Sequence, residues 1–121
     1  MQAVLLAALL MSIEPSAPKT VDMIDYTVHS VGSNNGRTVV DITIMVRSSE
    51  PVGVTPPALI KRNANLRVYK VKNNGAYPET FKPNVPTRVR LTYEGVTNPD
   101  KLRLFGHGFF NVAPFRDVDL P

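Results

Sequence analysis

The sequence predicts an all-β domain: an antiparallel β-sandwich of about seven short strands, preceded by an apolar N-terminal arm or short helix. Three observations carry this. The stretch from Arg37 to Arg47, RTVVDITIMVR, alternates strictly, with Val40, Ile42, Ile44 and Val46 on one face and Val39, Asp41, Thr43 and Met45 on the other. Successive side chains of a strand point to opposite faces, and β-branched residues suit a pleated, half-buried surface. Shorter alternations of the same kind recur along the chain, separated by Asn-Gly and proline-containing stretches. Finally, no helical periodicity follows residue 20, and the eleven prolines are scattered between the strand-like runs, which argues against long helices.

A chain of 121 residues is sufficient for one domain with one core. The expected division is an arm and linker over 1–20 and a sandwich over 21–121. There is no cysteine, which removes disulfides, thiolate catalysis and Cys-based metal sites. The net charge of +4 is unevenly spread: residues 1–60 carry three basic and five acidic side chains, and residues 61–121 carry eleven and five. Such asymmetry points to a basic surface contributed by the second half.

The arm, MQAVLLAALLMSIEP, presents Val4, Leu5, Leu6, Leu9, Leu10 and Met11 as candidate partner-binding residues. As a helix of about 11 residues it would reach about 16 Å, too short for about 30 Å of hydrocarbon, so no membrane span is expected. Its apolar length also suits a secretory signal over residues 1–17, but no basic residue precedes Lys19, and the small pair Ser16-Ala17 is followed by Pro18. A retained arm needs something to bury it: its own domain, a neighbouring subunit or a larger assembly.

The linker from Glu14 to Thr20 is broken by Pro15 and Pro18. A first strand is expected from Val21 to Val31, then a Gly-Ser-Asn-Asn-Gly turn into the Arg37–Arg47 strand. Ser48 to Pro57 reads as a long crossover. Ala58 to Arg62 and Asn65 to Lys72 read as strands, the second with Leu66 and Val68 inward. Ala76 to Pro86, holding three prolines, reads as extended loop. Thr87 to Glu94 and Lys101 to Phe105 alternate cleanly, and Phe109 to Val112 is expected as a last strand before a surface tail from Pro114.

With its short strands and turn signals, the chain resembles immunoglobulin-like or fibronectin-type modules. The stretch PTRVRLTYEGVTNPDKLRL, about a sixth of the chain, is similar to the late hairpin of such domains. The Cys–Trp–Cys core of true immunoglobulin domains is absent. A small Greek-key barrel is the alternative architecture.

No chemical motif stands out. His29, on the polar face of a strand, reads as a solvent-exposed surface residue, and His107, between two glycines near Phe105, Phe109 and Phe110, as a structural or hydrogen-bonding loop histidine. Neither has a nucleophile-elbow context, so an enzyme would require one of them to share a cleft with carboxylates. Asp117-x-Asp119 and the Asp22/Asp25 pair fall short of the six to eight oxygens calcium needs and read as solvated carboxylates. No cofactor is expected. The candidate site is instead a basic face: Arg88 and Arg90 on one strand, Lys101 and Arg103 on the next, with Arg67 extending it. If those strands form a hairpin, four cations crowd together, which suits either an anionic contact or a solvated outer face whose charges block edge-to-edge pairing. Nucleic acid fits poorly, because few aromatic platforms lie among the cations. Val39 and Met45 are too apolar for a wholly wet face and are candidate sites for cover by the arm.

These features predict a non-enzymatic structural or interaction module, resembling the decoration, cement or accessory proteins of phage and viral particles. On that reading the protein is found in the virion, bound to protein partners and to copies of itself. The alternative is an exported binding or adhesion domain, secreted or periplasmic, with residues 1–17 as its signal.

Overall fold

The computed structural model describes residues 17–62, 65–72, 77–108 and 113–120. The arm residues Val4, Leu5, Leu6, Leu9, Leu10 and Met11, and the strand expected over Phe109–Val112, lie outside them. The described chain is all-β. Its strands are β1 (Lys19–Val21), β2 (Ile24–Asn34), β3 (Arg37–Val46), β4 (Ala58–Arg62), β5 (Leu66–Tyr69), β6 (Thr87–Glu94), β7 (Lys101–Phe105) and β8 (Phe115–Asp119). They form two antiparallel sheets, ordered β1-β2-β3-β6 and β5-β4-β7-β8, in a β-sandwich-like arrangement.

β3 is central to the first sheet, as its alternation demands: Val40, Ile42, Ile44 and Val46 are all fully buried. They share one core with Leu59, Leu102 and Leu104 of the second sheet. The β2–β3 turn is Asn35-Gly36, with φ of 51° and 75°. Positive φ at both positions matches the right-handed twist of the flanking strands and makes a tight two-residue hairpin. A bulge between Val28 and Ser30 shifts the β2–β3 register.

Two phenols cross the core. The Tyr26 hydroxyl on β2 donates to the Phe105 carbonyl at the end of β7, at 2.5 Å. The Tyr93 hydroxyl on β6 donates to the Pro57 carbonyl just before β4, also at 2.5 Å. Burial raises both hydroxyls above the ordinary tyrosine pKa and keeps them as donors. Tyr77 packs edge-on against Phe81, ring centroids 5.3 Å apart. Its buried hydroxyl has no hydrogen-bond partner among the described residues.

The connections sort by end. The β2–β3 turn, the β6–β7 connection and the end of β4 are tied by Gly95 N–H to the Gly36 carbonyl and by Lys61 Nζ to the Thr97 carbonyl. The opposite end gathers the three long connections. There Val52 and Phe81 exchange backbone hydrogen bonds, Asn84 N–H bonds the Val46 carbonyl, and Gly106 N–H bonds the Pro114 carbonyl.

Several expectations need correction. β6 and β7 belong to different sheets, so they form no hairpin. β5 has the opposite parity: Tyr69 pairs with inward-facing Leu59 and packs on the core with Val71, leaving Leu66 and Val68 exposed. The expected C-terminal tail contains β8, recruited by its ladder with β7. Asp25 is not a solvated carboxylate: it is buried on β2. β1 begins at Lys19, inside the stretch expected as linker.

The tyrosines give a direct test. Tyr26→Phe and Tyr93→Phe each remove a buried hydrogen bond between the sheets and should cost about 0.5–1.5 kcal/mol by urea denaturation. Tyr77→Phe removes a buried hydroxyl that has no partner among the described residues and should be neutral or stabilising in the same assay.

Candidate functional site

The five cations of the expected basic face fall on two sheets. Arg88 and Arg90 alternate with inward-facing Val89 and Leu91 and stand on the outer face of the first sheet. Lys101 and Arg103 stand on the outer face of the second, opposite buried Leu102 and Leu104. Arg67 is exposed on β5, opposite Lys61.

Three of the five are paired. Arg88 grips Asp41 through two hydrogen bonds, Nε to Oδ1 at 2.8 Å and Nη2 to Oδ2 at 2.9 Å. Arg103 grips Asp117 in the same way at 2.7 and 2.9 Å. Lys101 Nζ reaches Asp119 at 2.7 Å. The hydrogen bond from each cation holds Asp41, Asp117 and Asp119 below the ordinary carboxylate pKa. The Arg103 guanidinium also lies 4.0 Å from the centroid of the Phe115 ring, a cation–π contact. Arg90 and Arg67 make no ion pair among the described residues, although Arg90 faces Asp41 across the β3–β6 ladder. What was expected as a crowd of like charges is mostly a set of zwitterionic rungs.

Val39 and Met45 are half-buried on the outer face of the first sheet. Val39 lies between Gly32 and Thr92, and Met45 lies opposite Asp25. Met45 shares a groove with Pro18, Asp25, Arg47 and Pro86, so the chain enters the sandwich at the rim of this groove. Asp25 accepts hydrogen bonds from Thr20 Oγ1 and Arg47 Nε, both at 2.6 Å. The polar network is satisfied within the fold. His29, expected to be solvated, is half-buried and hydrogen-bonds Thr43 Oγ1 at 2.6 Å.

The end with the long connections holds a cleft of about 410 Å³ lined by Val54, Thr55, Glu79, His107 and flanking glycines. His107 therefore does share a cleft with a carboxylate. Its backbone is fixed: its N–H bonds Asp22 Oδ2 at 3.2 Å, while its side chain is exposed. Gly106 is required by packing, since a Cβ there would sit 2.8 Å from both Asp22 Cβ and Pro114 Cγ. The cleft's hydroxyl, Thr55 Oγ1, donates to the Gly108 carbonyl at 3.4 Å. One imidazole and one carboxylate on the rim can hydrogen-bond a polar ligand. The described residues hold no group of three metal-ligating side chains, and no helix among them is long and apolar enough to cross a membrane.

No family model matches the chain, and neither a curated protein nor a solved structure matches it.

The ion-paired carboxylates set a pH dependence. Their native pKa values lie below the unfolded value of about 3.9, so their contribution is complete above that value and is lost as pH falls through the depressed native values. The urea midpoint should therefore drop as the solution is taken from about pH 4 toward pH 2. Asp41→Asn combined with Asp117→Asn should flatten that dependence. Separately, Gly106→Ala should cost about 1–3 kcal/mol, the usual penalty of overpacking, seen as a lowered melting temperature.

Proposed function

We propose that this protein is a non-enzymatic structural or interaction module of a larger assembly, of the kind that decorates or cements a virus particle. The observation that supports this best is the apolar surface left outside a complete core. Leu66, Val68 and Phe115 are 45%, 39% and 54% exposed on the outer strands of the second sheet, and Val85 is 45% exposed at the entry to β6. The groove beside Met45, where the chain enters at Pro18, supports the arm as a contact element reaching a neighbour. The connections that cross between sheets before β4, β6 and β7 suit an immunoglobulin-like sandwich of the fibronectin type. In such an assembly the partners are protein subunits and further copies of this chain. Of the five cations of the basic face, Arg67 and Arg90 are then the two available for an anionic contact.

A second reading is favoured by one observation. The cleft between the long connections, with His107 and Glu79 on its rim, offers a place for a polar ligand and supports the reading as an exported binding domain. There residues 1–17 are the signal, and the protein is secreted or periplasmic.

Deletion of residues 1–13 separates the two. In the assembly reading the truncated protein keeps its melting temperature, because the sandwich begins at Lys19, and loses particle or partner association. Each buried leucine contributes about 1.5–3 kcal/mol, so the loss should exceed a hundredfold in affinity. Unchanged association, or a native chain whose intact mass begins near Pro18, would overturn the assembly reading.

A further inference from the structure

The four sheet edges are not protected alike. β5 carries Arg67 and is followed by Lys70 and Lys72. The β6 edge is taken up by Lys72 N–H bonding the Thr92 carbonyl, with Arg88 and Arg90 on the strand. β8 is five residues long, carries Arg116, Asp117 and Asp119, and follows Pro114. Charges, short strands and prolines are the usual means of keeping an edge from pairing with another chain.

β2 differs. β1 covers only Ile24–Tyr26 of its outer edge, through Lys19 to Val21. Continuing that ladder would set Pro18, which has no N–H, opposite Thr27, and the bulge between Val28 and Ser30 follows. Beyond it, Ser30-Val31-Gly32-Ser33-Asn34 contains no charge and no proline. Among the described residues its outer backbone edge receives no hydrogen bond.

Gly32 adds an independent observation. Its φ is not positive, and a Cβ built on it meets no atom within 4 Å. Among the described residues, neither the backbone nor the packing requires glycine there. Glycine inside a strand weakens it and often marks the close approach of another backbone.

We propose that the Ser30–Asn34 edge of β2 pairs antiparallel with the same edge of a second copy, centred on Gly32, so that the two first sheets join edge to edge. The segment is self-complementary about that centre. Gly32 meets Gly32 of the second copy, Val31 meets Ser33, and Ser30 meets Asn34, with no like charges opposed. The same pairing at β5 would bring arginines and lysines of the two copies together. A two-fold pairing of identical patches closes at a dimer and leaves no further copy of the edge open. The contact does not rest on the arm or on the assembly proposed above.

The test uses the full chain in sedimentation velocity across a concentration series, comparing wild type, Gly32→Lys, Gly32→Glu and an equimolar mixture of the two variants. Wild type should dimerise. Each variant alone should dimerise at least tenfold more weakly, because two lysines or two glutamates face each other across the dyad. The mixture should recover a heterodimer. Circular dichroism should show all of them folded, since the position is open. In wild type, hydrogen exchange over Ser30–Asn34 should slow as concentration rises, a readout that needs no variant. A monomeric wild type overturns the proposal. So does dimerisation unaffected by either charge, or association that persists in both variants and disappears only when residues 1–13 are removed, which would assign the contact to the arm.

Discussion

The Tyr26 and Tyr93 hydroxyls fix how the second sheet sits on the first. They lie on the two strands that flank β3, and each must find an acceptor inside an apolar core. The acceptors are the carbonyls of Phe105 and Pro57, where β7 ends and β4 begins. Sliding one sheet past the other by one residue would break both bonds and leave two buried hydroxyls without their acceptors. The long connections depend on this registration. The segment from Arg47 to Pro57 ends at one clamped carbonyl, and Gly106-His107-Gly108 starts directly after the other. The cleft with Glu79 and His107 is therefore held from beneath by two phenols that line no part of it.

How much of this was legible depends on how each strand divides its apolar residues. β3 and β6 carry them on one parity, so their core faces could be read directly. β5 carries Leu66 and Val68 on one parity and Tyr69 and Val71 on the other, and only its register with β4 decides between them. β8 shows Val118 as its one buried residue and is a strand because β7 supplies a ladder and two cations. The basic face was misassembled for a related reason. Alternation shows which side chains share a face of one strand, but not which strand lies next to it. Arg88 and Arg103 are close in sequence, yet their carboxylate partners are Asp41 and Asp117, on different sheets. The Asp25–Arg47 pair had no motif at all. The two glycines around His107 were the one local sign of the cleft.

Pairing the charges changes what the surface offers. Exposed ion pairs contribute about 0–1 kcal/mol each and leave little net field to attract an anionic partner. Of the expected basic face, Arg67 and Arg90 remain outside these pairs and stand on different sheets, whereas Leu66, Val68 and Phe115 expose apolar area on the second sheet. The first sheet presents a different surface, threonines and satisfied polar pairs around Val39 and Met45. Contact by shape and apolar burial suits the second sheet, and backbone pairing suits the bare edge of the first.

Gly106, wedged between Asp22 Cβ and Pro114 Cγ, joins the first turn of the sandwich to its last connection. The Asp22–His107 bond spans 85 residues, and the Tyr26–Phe105 bond 79. A chain growing from its N-terminus can make the β2–β3 hairpin early, but it cannot bury Tyr26 or close this end until β7 has left the ribosome. Closure of the sandwich therefore waits on contacts between the two ends of the described chain, which gives it the slow kinetics of non-local β topologies. Until then the β2–β3 hairpin exposes its apolar face to whatever meets the unfinished sandwich.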